Sequence, residues 1–185
     1  MARIAIDIDS TLHHYWDLLE EVARRRFGVA LPYDRQLTWG ITLLEQEQVA
    51  ECVRETHSDA NILAGEPYPG AVETVNAWHE TGHFIHITSH RAVTSDTATR
   101  RWLQQIGLAY DDLHCSYDKV TRCVELGIDL LIDDSPVNLV RARDRGIAGA
   151  TIAHPWNTEI VASDGVTGAA DWRELRQLLR PRVPD

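Results

Sequence analysis

From Gly70 onward, short apolar runs alternate with stretches of helical periodicity, and this alternation is the feature that most narrows the fold. Residues 71–80 read as a helix stopped at Gly82, and 84–88 as a strand. A helix over 94–106 stops at Gly107, and 113–115 form a short strand. A helix over 119–126 stops at Gly127, and the strand 129–132 runs into Asp133-Asp134. Pro136 sits at a good first helical position for a helix reaching Arg145. A last strand over 150–153 and a last helix over 171–179, with Asp171 as N-cap, complete the pattern. Upstream, 4–8 form a buried strand. Leu12, Tyr15, Trp16, Leu19, Ala23 and Phe27 then recur at helical spacing up to Gly28. A second helix is expected over 43–56, with loop-like stretches over 32–40 and 61–70.

Strands alternating with helices imply parallel pairing and right-handed crossovers, hence an α/β fold with a Rossmann-like open sheet. In such sheets chemistry sits outside the carboxyl ends of the strands. The 185 residues suffice for one domain with a modest insertion. Lys plus Arg number 18 against 28 for Asp plus Glu, so the net charge is -10. That balance argues against broad binding to a nucleic-acid polymer, but not against a small phosphorylated ligand. No apolar run has the length to span a bilayer, and the N-terminus meets Arg3 and Asp7 too early for a signal peptide. Cys52, Cys115 and Cys123 lack metal-ligand spacing, and a reduced, cytoplasmic protein is expected.

The strand ends carry an acid-rich set. Asp7 and Asp9 stand at i and i+2, so an extended backbone directs both to one cleft. Asp133 and Asp134 end another strand. Carboxylates gathered this closely require a cation, and an all-oxygen donor set beside phosphate suits Mg²⁺. Thr88 and Ser89 offer donors to phosphate oxygens, and Lys119 offers a fixed positive charge. His79-Glu80-Thr81-Gly82-His83 matches a zinc-protease pattern, but Gly82 breaks the helix on which both histidines would have to share a face.

Asp7-Ile8-Asp9-Ser10-Thr11, Ile87-Thr88-Ser89, Lys119 and Leu130-Leu131-Ile132-Asp133-Asp134 together resemble the four motifs of the haloacid-dehalogenase-like hydrolases. Pro69-Gly70-Ala71-Val72-Glu73 resembles the entry to the helix before their second motif. Within that superfamily the chain is most similar to the 5′(3′)-deoxyribonucleotidases and their bacterial relatives. It departs from them at Ser10 (usually Gly), Thr11 (usually Val) and His13-His14 (usually Ala-Asp).

The resemblance implies a catalytic core over 1–14 and 66–185, with a small helical cap over 15–65 inserted after the first strand. It implies a Mg²⁺-dependent phosphomonoesterase acting on deoxyribonucleoside monophosphates. Asp7 would be the nucleophile that forms an aspartyl-phosphate, and Asp9 the acid–base residue, a role the dehalogenase branch does not need. The metal would be held by Asp7, the Asp9 carbonyl and Asp133 or Asp134. Thr88, Ser89 and Lys119 would hold the phosphate. Tyr15 and Trp39 match positions where those enzymes place aromatic residues near the base. Two alternatives stay open: another small phosphomonoester such as a sugar phosphate, and a non-catalytic nucleotide- or phosphate-binding protein of the same fold.

Overall fold

The structure is a computed structural model and describes residues 1–162 and 165–184. The chain runs β1 (Arg3–Asp7), α1 (Trp16–Phe27), α2 (Gln46–Thr56), α3 (Asp59–Ala64), α4 (Ala71–Glu80) and β2 (Phe84–Ser89). It continues through α5 (Asp96–Gln105), β3 (Asp112–Cys115), α6 (Lys119–Glu125), β4 (Leu130–Ile132) and α7 (Pro136–Arg143). The last elements are β5 (Ala148–Ile152), α8 (Thr158–Val161), β6 (Val166–Ala169) and α9 (Trp172–Leu179). All strand pairs are parallel, in the order β3-β2-β1-β4-β5-β6. The order reverses direction at β1, which places its carboxyl end at the switch point of an open sheet.

Alternation along β1 explains the two layers. Ile4 and Ile6 face a core shared with Trp78 of α4, Trp102 of α5 and Trp172 of α9. Ala5 faces the other side, with Cys123 of α6 and Ala142 of α7. The expected open parallel sheet is thus present, with helices on both faces, and Asp171 caps α9 by accepting a hydrogen bond from the Glu174 amide. A separate cluster joins Trp16, Leu19 and Val22 of α1 to Cys52 of α2 and to Trp156, which follows β5. Helix α3 packs differently. Its Ile62 enters the main core, and Trp102 Nε1 donates to the Gly65 carbonyl at 2.7 Å.

Some local expectations shift. The first strand ends at Asp7, so Ile8 lies in the following loop although it is fully buried. The second helix starts at Gln46 rather than Leu43, behind a capping box made by Glu45 and Gln48. Residues 59–64, partly read as a connection, are helical. The histidines of the zinc-like pattern diverge. His83 accepts from the Ala2 amide and reaches the Pro184 carbonyl, while His79 lies 3.4 Å from Asp111.

His86 of β2 is fully buried, 3.1 Å from Asp112 of the edge strand β3. Burial outweighs that carboxylate and pushes the imidazole down to about 4. A histidine that is neutral when folded but protonated when unfolded contributes stability present above the unfolded value near 6.5. That stability is lost as pH falls from there towards 4. Over pH 7.5 to 4.5 the loss is roughly 2 to 3 kcal/mol. In urea unfolding, His86→Leu is expected to flatten the pH dependence by that amount. An unchanged pH slope would remove His86 as its cause.

Candidate active site

The carboxyl ends of β1 and β4 and the first turn of α6 converge on one buried charge cluster. Asp7, Asp133 and Asp134 each offer a carboxylate oxygen, all within 4.8 Å of one another. Lys119 Nζ donates to Asp7 Oδ1 at 2.5 Å and to Asp133 Oδ2 at 3.1 Å. Asp133 is further fixed by the Ser135 amide and by Asn138 Nδ2. Ser135 N-caps α7, with Pro136 at its first position, which explains how the Asp-Asp-Ser-Pro sequence directs acids into the cleft.

Three buried carboxylates face one lysine, and the proton affinities record the imbalance. Burial, reinforced by Asp133 and Asp9, pushes the Asp7 carboxyl up to about 7 despite Lys119. Burial beside Asp7 and Asp133 holds Asp134 well above the carboxylate range. Burial works against the charge on Lys119, but Asp133 and Asp7 overcome it and keep the ammonium more firmly protonated than a free lysine. An all-oxygen donor set with this excess of negative charge fits a hard divalent cation.

Asp9 is held in a different way. Arg91, itself only 2% exposed, donates from Nη2 to Asp9 Oδ1 at 2.7 Å and from Nε to Oδ2 at 3.3 Å. His13 Nε2 lies 2.9 Å from Oδ1, and His57 Nε2 lies 3.3 Å from Oδ2. Ser89 Oγ donates to Oδ2 at 3.3 Å. Burial alone would raise this carboxyl, but Arg91, then His57 and His13, hold it well below the carboxylate range. Sequence reasoning did not find this set. Its members come from the loop after β1, the end of α2 and the loop after β2, and no local spacing links them.

A cavity of about 260 Å³ opens over the cluster. Asp7, Asp9, Lys119, Asp133 and Asp134 form its polar end. Its other walls are Tyr15, Trp16, Leu19, Trp39, Ile41, Val53 and His57 from the 15–65 segment, with Ser10, His90, Tyr117, Ser135 and Trp156 from strand-end loops. Tyr15 and Trp39 therefore reach the same cavity as the acids. Tyr15 is anchored by a 2.7 Å hydrogen bond with Thr56, while Trp39 is 42% exposed, with its ring 6.5 Å from that of Trp156. Thr88 and Ser89 are fully buried at the end of β2 and outside the cavity lining. The Thr88 hydroxyl is buried without a hydrogen-bond partner. Of the loops after β2 and β5, His90 and Trp156 reach the cavity, whereas Arg91, His154 and Asn157 lie outside its lining.

Among known proteins, a 5′(3′)-deoxyribonucleotidase of Chlorobaculum tepidum, provisionally so named, is 24% identical over 193 residues, covering 97% of this chain and 91% of that one. A haloacid-dehalogenase family hydrolase from Deinococcus radiodurans, solved with bound phosphate and sodium, superposes with a TM-score of 0.72 at 16% identity. The match covers 98% of this chain and 96% of that one. A haloacid-dehalogenase-like protein from Streptococcus pneumoniae gives a TM-score of 0.71 at 15% identity over 97% and 98% of the two chains. These likenesses fix the fold. Residues 1–183 match the model of the family described as 5′ nucleotidase, deoxy (pyrimidine), cytosolic type C protein, and the chain belongs to this family of phosphoric monoester hydrolases within the haloacid-dehalogenase-like superfamily.

Proposed function

We propose that the chain is a Mg²⁺-dependent nucleotidase that hydrolyses deoxyribonucleoside monophosphates through an aspartyl-phosphate on Asp7. The observation that carries this reading is the Lys119-bound Asp7 carboxylate at the acidic end of a cavity whose wall from the 15–65 segment is mostly aromatic and apolar. Residues 15–65 act as the cap and 1–14 with 66–185 as the catalytic core.

Lys119 orients the Asp7 carboxylate through Oδ1. The carboxylate attacks phosphorus, an Asp7–phosphorus ester bond forms, and the bond to the nucleoside oxygen breaks. The leaving oxygen takes a proton from Asp9. In the free protein Arg91 keeps Asp9 ionised; a phosphate dianion beside it raises its proton affinity, and Asp9 takes up from solvent, as the substrate enters, the proton it then gives to the leaving oxygen. In the second step ionised Asp9 accepts a proton from water, whose oxygen attacks phosphorus and regenerates Asp7. Lys119 holds the equatorial oxygens, where charge spreads in the transition state, and Thr88 and Ser89, which lie behind the cavity lining in the free protein, would turn their hydroxyls to those oxygens as phosphate enters. The unpartnered Thr88 hydroxyl supports that assignment. Asp7, the Asp9 carbonyl and Asp133 or Asp134 would hold Mg²⁺, which when bound would supply the positive charge that lets a carboxylate approach phosphate. The buried free thiols of Cys52, Cys115 and Cys123 support a reducing, cytoplasmic setting.

The aromatic part of the wall favours a leaving group that carries a nucleobase, a nucleoside, over a plain sugar. If Trp39 stacks on the base, Trp39→Ala lowers kcat/KM for a deoxyribonucleoside monophosphate by roughly 1 to 3 kcal/mol, about 5- to 150-fold. Hydrolysis of a small aryl phosphate changes much less. Because Trp39 is partly exposed, little loss of melting temperature is expected. Equal losses on both substrates would make it a packing residue. A panel of nucleotides and sugar phosphates tests the substrate class, and tight binding without turnover would favour the non-catalytic alternative.

A further inference from the structure

Ser10, between Asp9 and Thr11, is the non-glycine residue with positive φ among those described, at 61°. A side chain in that region costs about 1 kcal/mol or more, so neighbours must hold the conformation. Ser10 is buried, and its amide donates to the His13 carbonyl at 2.9 Å. Its carbonyl is 2.7 Å from His154 Nε2. A carbonyl only accepts, so Nε2 carries the proton and Nδ1 presents its lone pair. That lone pair accepts the Tyr33 hydroxyl at 2.7 Å, from the 15–65 segment.

His154 is itself braced. Its ring stacks flat on Trp156, with centroids 4.5 Å apart and planes 4° apart. Its amide donates to Asn157 Oδ1 at 2.8 Å, and Asn157 Nδ2 donates to the Asp134 carbonyl at 3.3 Å. The buried His154 ring therefore joins the loop after β1 to the segment over the cavity, and Asn157, bonded to its backbone amide, reaches the loop after β4.

We propose that His154 is a positioning residue for the nucleophile loop. It holds the Ser10 carbonyl in its left-handed backbone through Nε2–H, and Tyr33 fixes the tautomer that makes this possible. The docking of the 15–65 segment and the shape of the loop from Asp7 to Thr11 are thereby set together. The proposal rests on the hydrolytic reading above only for its kinetic arm.

The test compares wild type, His154→Phe, Ser10→Gly and the double variant. Phenylalanine keeps the stack on Trp156 and removes both ring hydrogen bonds. In the wild-type background His154→Phe is expected to lower kcat roughly 10- to 100-fold, the scale of a displaced reacting group, with KM nearly unchanged. In the Ser10→Gly background, where the left-handed region carries no side-chain penalty, the loss from His154→Phe shrinks to within a few-fold. Equal losses in both backgrounds, or none in either, overturn the proposal. Amide hydrogen exchange of the metal-free protein decides the matter without turnover. Faster exchange over residues 10–13 in His154→Phe, with β2 unchanged, is expected, and unchanged exchange there overturns the proposal even if the enzyme acts on another substrate. Should His154→Phe fold poorly, Tyr33→Phe removes only a hydroxyl. A smaller acceleration over the same amides is then expected, and its absence counts against the tautomer relay.

Discussion

Asp7→Asn is expected to reduce turnover at least ~10⁴-fold, the scale seen when a covalent nucleophile is removed, without loss of fold. The amide is nearly isosteric with the carboxylate, and its oxygen still accepts from Lys119 Nζ. What it cannot do is form the ester bond to phosphorus. Stability is expected to move the other way. Asp7 sits with Asp133 and Asp134 around a single lysine, and burial already pushes its carboxyl up to about 7. Removing one negative charge relieves repulsion, so the metal-free variant melts at or above the wild-type temperature. A packing residue would show the reverse: weakened folding and partly retained activity. Turnover within tenfold of wild type, in protein whose mass excludes deamidation back to Asp, would sink the covalent mechanism.

The acidic end of this site was legible because each acid follows a strand of plain composition. Ile4, Ala5 and Ile6 leave no doubt about β1, nor do Leu130, Leu131 and Ile132 about β4, and a parallel sheet brings their ends together. Lys119 was readable as the first residue of a helix behind Asp118, whose side chain accepts from the Thr121 amide. Strand β6 was not legible. Val166-Thr167-Gly168-Ala169 is short and small, and only the packing explains it: a Cβ on Gly168 would lie 2.3 Å from Val161 Cγ1 of α8. The environment of Asp9 was equally hidden. Arg91 reaches it from 82 residues away and His57 from the end of a helix in another segment. Periodicity reports which face of an element is buried, not which polar side chains meet across elements. Trp16 and Trp156 illustrate the same limit. Trp16 reads as one position on a helical stripe, yet its ring packs 5.1 Å from that of Trp156, 140 residues on, and both line the cavity.

Chelation is expected to abolish turnover, Mg²⁺ to restore it, and Zn²⁺ to restore it poorly. Asp7, Asp133 and Asp134 supply oxygens only, and Asp133 is already committed to Lys119, Asn138 and the Ser135 amide. Such a site matches a small hard cation that keeps part of its water shell, not an ion that favours nitrogen and sulfur. Activity alone would not separate a metal needed for chemistry from one that travels with the substrate, so the protein must also report. Mg²⁺ at about 100 times its dissociation constant should stabilise the fold by about 2.7 kcal/mol. For a chain of this size that is a rise of roughly 5 to 10 °C in melting temperature. Asp134→Asn is expected to lose most of that rise, because its carboxyl has its proton affinity raised by the same two neighbours. Asp7, pushed up to about 7, is partly protonated at neutrality in the absence of metal, and burial beside Asp7 raises Asp134 in the same direction, so Mg²⁺ binding releases protons and tightens as pH rises from 6 to 8. Full activity after exhaustive chelation, or a melting temperature indifferent to Mg²⁺ in wild type and variant alike, would refute a cation at this cluster and leave Lys119 as its sole counter-charge.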